Sequence, residues 1–346
     1  MEMENKVLEV ENLRTSFISN KKTFNAVDGV SFHINEGETI GVVGESGCGK
    51  SVTSLSIMGL IKRPGEVNAD KISFQDNNLL KLNKEKMRKI RGNRISMIFQ
   101  EPMTSLNPVY RVGEQIAESI RIHEKVRSSK LKNRVIDLLE MVGIPRPKEV
   151  YRYYPHQLSG GMRQRVMIAI AMACNPDLLI ADEPTTALDV TIQAQILELM
   201  KELQESRGMS MMLITHDLGV VSEVCDRVVV MYAGKIVETG KVENILNHPQ
   251  HPYTKGLIAS LPKKGQNNGR LNYIPGQVPS PLNWGKGCRF ADRCTYVMDK
   301  CLEKIPPLLD VSSEQQSACW LCEEKGGSSF ANERGKVDQA TIARSE

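Results

Sequence analysis

Gly44-Glu45-Ser46-Gly47-Cys48-Gly49-Lys50-Ser51 decides how this chain folds. The eight residues read G-x-x-x-x-G-K-S, the phosphate-binding P-loop, and their flanks have the form the motif requires. Before them, Thr39-Ile40-Gly41-Val42-Val43 is an apolar run of strand length; after them, Ser51 to Leu60 reads as a helix. Glycines admit φ > 0 and let backbone approach closely. Successive N–H groups of such a loop surround an anion, and the helix N-terminus adds partial positive charge. Lys50 is placed to reach β- and γ-phosphates, and the Ser51 hydroxyl to hold Mg²⁺. ATP with Mg²⁺ is therefore the expected ligand, bound by Gly44, Glu45, Ser46, Gly47, Cys48, Gly49, Lys50 and Ser51.

A second stretch supplies the carboxylates. Leu178-Leu179-Ile180-Ala181-Asp182-Glu183-Pro184 has the form of a Walker B strand, with four apolar residues and two acids at its end. Asp182 suits Mg²⁺, directly or through water. Glu183 is expected beside the γ-phosphate, polarising the attacking water as general base. Phosphate charge nearby should raise its proton affinity. A third stretch, Leu158-Ser159-Gly160-Gly161-Met162-Arg163-Gln164-Arg165, opens an apolar helix expected over Met162 to Cys174, with Ser159 as N-cap. Its free N–H groups make a second anion site.

The bulk properties are those of an ordinary globular protein. The 346 residues permit two domains, or one large domain with an extension, and the net charge of +4 gives no argument for nucleic acid. No apolar run reaches the roughly 18 residues needed to span a bilayer. The polar start, Met1 to Lys6, does not read as a secretory signal, so a cytoplasmic protein is expected, reaching any membrane through a partner.

Along the chain, Val7 to Asn35 reads as short strands with turns, and Lys71 to Phe74 and Arg94 to Phe99 as strands. The basic stretch Lys81 to Arg94 reads as a solvated surface. Leu131, Val135, Leu138, Leu139 and Val142 follow helical spacing, which predicts a helix over Ser129 to Val142 that stops at Gly143. Ile192, Ile196, Leu199 and Leu203 stripe another helix. Met211 to Ile214 and Val228 to Met231 are further buried strands. Apolar strands alternating with helices predict an α/β fold with a parallel sheet covered on both faces. After Leu261, Pro262 to Gly287 reads as an extended linker and Glu323 to Glu346 as a disordered tail.

The Ser-Gly-Gly segment resembles the signature motif of ATP-binding cassette (ABC) ATPases, although Met162 stands where the wider family often has Gln. The resemblance implies a P-loop NTPase cassette with a RecA-like core, an antiparallel β subdomain and a helical subdomain, spanning about residues 6 to 261. It also implies that Ser159, Gly160 and Gly161 close over ATP held by another subunit. Other stretches fall in the family's order. Gln100 resembles the Q-loop glutamine that senses Mg²⁺, adding it to Ser51 and Asp182 as a ligand. Ala187-Leu188-Asp189 looks like the D-loop. His216 resembles the switch histidine on the γ-phosphate. Phe17 lies where the family places an adenine-stacking aromatic, with Phe24 as a rival. DNA-repair members carry long coiled-coil insertions and ribosome-acting members usually two cassettes; this chain has neither.

Three further stretches are together similar to the ATP-binding subunits of dipeptide/oligopeptide importers. They are Gln100 to Pro108, His248-Pro249-Gln250-His251-Pro252-Tyr253-Thr254, and the tail from Ile274 through Gly287-Cys288-Arg289-Phe290 to Arg293-Cys294. That resemblance implies a second, non-identical ATPase subunit, two membrane permeases, an extracytoplasmic peptide-binding protein, and a peripheral place on the cytoplasmic face of the membrane. It leaves nickel, sugars or other solutes as alternative cargo. Five of eight cysteines lie in the extension, 262–322, spaced C-x5-C-x6-C-x17-C-x2-C. Clustering in a reducing compartment favours metal over disulfide. The resemblance implies a [4Fe-4S] cluster on Cys288, Cys294, Cys301 and Cys319, with Cys322 spare; zinc and unligated thiols stay open as alternatives. Cys48, Cys174 and Cys225 read as buried small residues.

Overall fold

The computed structural model describes residues 5–19, 21–100, 105–186, 188–261 and 273–324. Two sheets carry the fold. The first is antiparallel, with β1 (Lys6–Ser19) and β2 (Lys22–Asn35) as a long ribbon, β5 (Lys71–Phe74) and β6 (Asn77–Asn78) continuing it in the order β2-β1-β5-β6, and β4 (Glu66–Asn68) on the far end of β1. The segment expected as short strands with turns is thus a ribbon of two 14-residue strands. Its irregular points, such as Asn12 at φ 50° and Gly29 at φ 76°, belong to a ladder with several register shifts. Bulges absorb what the sequence suggests are turns.

The second sheet contains β3 (Thr39–Val43), β7 (Ile95–Ile98), β8 (Leu178–Asp182), β9 (Ser210–Thr215), β10 (Arg227–Tyr232), β11 (Lys235–Lys241), β12 (Leu309–Ser312) and β13 (Gln315–Ser317). Its order is β12-β13-β11-β10-β3-β9-β8-β7, and the run from β10 to β7 is parallel. Every residue of β3, β8 and β9 is buried, as continuous apolar strands covered on both faces should be. One face packs on the antiparallel sheet, where Leu8, Val10, Val30 and Ile34 meet Ile40, Val42, Ile180 and Ile214.

The helices are α1 (Lys50–Ile57), α2 (Lys84–Ile90), α3 (Val112–His123), α4 (Ser128–Met141), α5 (Pro147–Val150), α6 (Gly160–Ala171), α7 (Val190–Arg207), α8 (Leu218–Val224), α9 (Val242–Asn247), α10 (Pro252–Ala259), α11 (Asp299–Glu303) and α12 (Trp320–Glu324). Helices α3, α4, α6 and α7 share the core on the sheet's other face, and the predicted stripe Leu131, Val135, Leu138, Leu139 and Val142 is buried in it. Gly143 ends that helix at φ 71°. Within the basic stretch, α2 is capped by the Asn83 side chain and buries only Met87, so its charges face water. Helix α6 begins two residues earlier than expected because the Ser159 hydroxyl accepts the Met162 N–H at 3.3 Å and caps it. No described helix is long and apolar enough to cross a membrane.

The residues after Leu261 return to the sheet. Strand β13 pairs antiparallel with β11 through Glu238–Ser317, Thr239–Gln316 and Gly240–Gln315, and β12 pairs with β13. Phe290, Trp284, Cys288 and Cys294 pack into the core built on β10. Of the expected linker, residues 262–272 lie outside the described residues, as do 325–346 of the expected tail; Trp284 in the described part is packed against the cassette.

Candidate nucleotide site

Four strand ends meet at one place. The P-loop follows β3, Asp182 ends β8 and Glu183 follows it, His216 follows β9 and Gln100 follows β7, all at the carboxyl ends of parallel strands, where open α/β sheets bind ligands. Two loop glycines are dictated by crowding. A Cβ on Gly44 would stand 2.2 Å from the Met231 carbonyl oxygen, and one on Gly49, at φ 103°, would stand 2.7 Å from that of Ala26. Lys50, 5% exposed, donates from Nζ to the carbonyls of Gly44 at 2.7 Å and Glu45 at 3.2 Å.

Ser51 Oγ donates to Asp182 Oδ1 at 3.0 Å. Burial pushes the Asp182 carboxyl up to about 6, helped by the Glu183 charge and opposed by the Ser51 hydrogen bond and Lys50. A hydroxyl beside a carboxylate, both hard oxygen donors, fits Mg²⁺. Glu183 sits in the left-handed region at φ 47°, uncommon for a residue with a side chain and concentrated at functional sites. Its Oε2 is a meeting point: Gln100 Nε2 donates to it at 3.2 Å, Thr186 Oγ1 at 3.0 Å, and His216 Nδ1 lies 3.6 Å away. Gln100 was expected on Mg²⁺ with Ser51 and Asp182; here its amide lies on Glu183. Thr186 carries no sequence signal of its own, since a threonine after Glu-Pro-Thr reads as loop.

The remaining expected residues stand elsewhere. Ser159 and Gly160 are exposed at the start of α6, Gly161 is half-buried, and Gly160 lies against Leu188. Asp189 is exposed at the N-cap of α7, next to Val190, which is 84% exposed; Ala187 falls outside the described residues. Phe17 is half-buried on β1, directly opposite Phe24 in the ladder, with ring centroids 6.1 Å apart. The two aromatics therefore form one patch.

In the extension, Cys288, Cys294, Cys301 and Cys319 line one small, partly enclosed cavity walled by Phe290 and Trp320. Cys322 hydrogen-bonds with Cys319, which pulls the Cys322 thiol down to about 7 and pushes Cys319 up. Burial pushes Cys288 up to about 11. All eight cysteines are free thiols. Among the described residues, no three His, Cys, Asp or Glu groups are disposed to hold a metal ion. Cys48 and Cys174 are buried and Cys225 is half-buried.

The segment His248 to Thr254 owes its path to Glu238. That fully buried carboxylate on β11 accepts the N–H groups of Gln250 at 2.7 Å and His251 at 3.0 Å, and the Gln315 side-chain amide at 2.8 Å. Burial raises its pKa against these bonds. His251 Nδ1 in turn accepts the Tyr253 N–H at 3.0 Å, and burial pushes the imidazole down to about 3.

Residues 27–186 match the ABC transporter family, and residues 237–301 match the oligopeptide/dipeptide transporter C-terminal region. The chain is 54% identical over 321 residues to the oligopeptide transport ATP-binding protein AppD of Bacillus subtilis (strain 168), covering 92% of this chain and 98% of that protein. It is 50% identical over 313 residues to the dipeptide transport ATP-binding protein DppD of Escherichia coli (strain K12), covering 90% and 96%. A dimeric, post-hydrolysis structure of the ATP-binding cassette MJ0796 bound to ADP and Pi superposes with a TM-score of 0.59 at 28% identity, covering 68% of this chain and 98% of that one. The chain therefore belongs to the ABC ATP-binding proteins of the oligopeptide/dipeptide transporter family.

Proposed function

We propose that this chain hydrolyses ATP to drive uptake of dipeptides or oligopeptides, seated peripherally on the cytoplasmic face of the membrane. The observation that carries the reading is the convergence of Gln100, Thr186 and His216 on Glu183, beside the Ser51–Asp182 pair, at the mouth of the P-loop. In this reading Lys50 exchanges the loop carbonyls for phosphate oxygens. Ser51 and Asp182 hold Mg²⁺, which neutralises phosphate charge when bound. Glu183 orients and deprotonates the attacking water, and His216 approaches the γ-phosphate from β9. Residues 6–261 form the cassette, 262–322 the extension and 323–346 a tail. The cassette's partners are a second, non-identical ATPase, two permeases and an extracytoplasmic binding protein. Ser159, Gly160 and Gly161 serve the companion's ATP, a role supported by the exposure of Ser159 and Gly160 at a helix N-terminus and by the dimer formed by the cassette MJ0796.

The test is reconstitution of the chain with its permeases and companion ATPase in liposomes. Hydrolysis stimulated by peptide-loaded binding protein, with peptide accumulating inside, is the expected result. Stimulation by nickel or a sugar in its place would overturn the peptide assignment.

For the extension we infer a [4Fe-4S] cluster on Cys288, Cys294, Cys301 and Cys319. Four thiols on one small, aromatic-walled chamber are a soft donor set, which suits iron–sulfur chemistry, and Cys322 lies outside it. When bound, the cluster would supply a redox-active cross-link for the extension. Anaerobically purified protein should contain about four irons and four sulfides per chain by cluster stoichiometry; colourless, iron-free protein would end this assignment.

A further inference from the structure

Every polar group of Glu45 in the P-loop is occupied. Its carbonyl accepts from Lys50 Nζ at 3.2 Å. Its N–H donates to the Tyr253 hydroxyl at 2.9 Å. Its carboxylate takes a two-pronged pair from Arg293, Nη1 to Oε2 at 2.7 Å and Nη2 to Oε1 at 3.0 Å. Arg293 comes from the extension, next to Cys294, and its side chain is only 7% exposed. It is itself held by the Pro275 carbonyl at 2.7 Å, the Ile274 carbonyl at 3.2 Å and the Tyr232 hydroxyl at 3.3 Å. Behind it, Phe290, Tyr232 and Tyr253 stack edge-on or tilted with ring centroids 4.7 to 5.4 Å apart, and Phe290 also walls the thiol chamber.

We propose that Arg293 and Tyr253 are positioning residues of the ATP site, which act together through Glu45 to fix the P-loop in its phosphate-binding form. The extension is thereby a working part of the nucleotide pocket. The physical case rests on geometry. Planar guanidinium–carboxylate pairs set orientation as well as energy, and in this one the guanidinium is buried while Glu45 is partly exposed. The loop it holds must present its N–H groups and the Lys50 ammonium to the phosphates at fixed places. A P-loop released from Arg293 and Tyr253 samples other conformers, and ATP must then bind the competent fraction alone. Affinity falls, whereas the chemistry of bound ATP, set by Glu183 and its partners, changes little. A merely architectural role would lower the melting temperature without separating these two quantities.

The inference rests on the P-loop holding ATP, so the experiment carries a control for that. Full-length chain is titrated with a fluorescent ATP analogue in Mg²⁺, and KM and kcat for ATP are measured in the assembled transporter. Arg293→Met and Tyr253→Phe should each raise Kd and KM about tenfold, with kcat falling less than about twofold, as expected for lost charge-assisted or buried hydrogen bonds that set orientation. Arg293→Met combined with Glu45→Gln should be no weaker than either alone, the mark of residues acting as one unit. Arg293→Lys keeps the charge but loses the fork, and serves if the methionine variant does not fold. Unchanged Kd in folded Arg293→Lys and Tyr253→Phe, or strictly additive losses in the double variant, overturns the proposal. Lys50→Ala must weaken binding by tenfold or more; if it does not, the P-loop assignment itself fails, and the two failures are told apart.

Discussion

Replacing Glu183 with Gln removes one proton acceptor and almost nothing else. Volume and shape are kept, and Glu183 lies apart from the P-loop contacts of Lys50. The carboxylate Oε2 receives two donors, Gln100 Nε2 and Thr186 Oγ1, with His216 Nδ1 at 3.6 Å. A Gln there turns its carbonyl oxygen to these donors and presents its NH₂ to the water that must lose a proton. A positioned general base contributes about 10²- to 10⁴-fold. At about 1.4 kcal/mol per tenfold, the barrier should rise by about 3 to 5 kcal/mol. ATP affinity should stay within about threefold, because Ser51, Asp182 and Lys50 are untouched. Phosphate release at saturating ATP reads the first quantity and titration with a fluorescent ATP analogue the second. Hydrolysis within tenfold of the unaltered chain would refute the assignment of Glu183, and with it the significance given to the convergence on Oε2.

Thr186→Val should lower kcat about three- to tenfold with KM unchanged, since one hydrogen bond aligning Glu183 is lost; steady-state kinetics at varied ATP decide this. Asp182 has a folded pKa raised from 3.8 to about 6, so its contribution to stability is fully present below 3.8 and lost as pH rises through about 6. Without nucleotide, Asp182→Asn should therefore gain stability relative to the unaltered chain across that window, as read by urea unfolding at stepped pH, while losing Mg²⁺-dependent hydrolysis. A flat difference would deny that burial strains this carboxylate. Glu238→Ala strands the buried N–H groups of Gln250 and His251, leaves the Gln315 amide with only the His248 carbonyl, and should cost about 2 to 4 kcal/mol in chemical denaturation, with Glu238→Gln milder.

How far the chain could be read in advance depended on the range of the interactions involved. The P-loop, the Asp182–Glu183 pair and the capped start of α6 are local: strand, turn and helix N-terminus lie within about ten residues, and residue type alone dictates the geometry. The stripe on α4 was legible because helical periodicity is also local. The partners of Glu45 were not, because Arg293 lies 248 positions away and an ion pair leaves no periodic trace. The same holds for Glu238, whose acid reads as one more polar residue in mid-strand. Strands β12 and β13 escape a sequence reading for another reason: they are short, β12 is half-exposed and β13 is Gln-Gln-Ser, so both look like loop until β11 offers an edge. The β1–β2 ribbon reads as short strands with turns because bulge-forming residues are also turn-forming ones.

Strand β13 covers the flank of β11, and its Gln315 supplies one of the three donors on Glu238. Severing the gene after Leu261 to obtain a minimal ATPase would bare a row of unsatisfied amides and carbonyls on β11, which is a template for strangers to add strands. The shortened product should clump on expression, and lysine or proline planted along β11 should restore its solubility without restoring tight nucleotide binding.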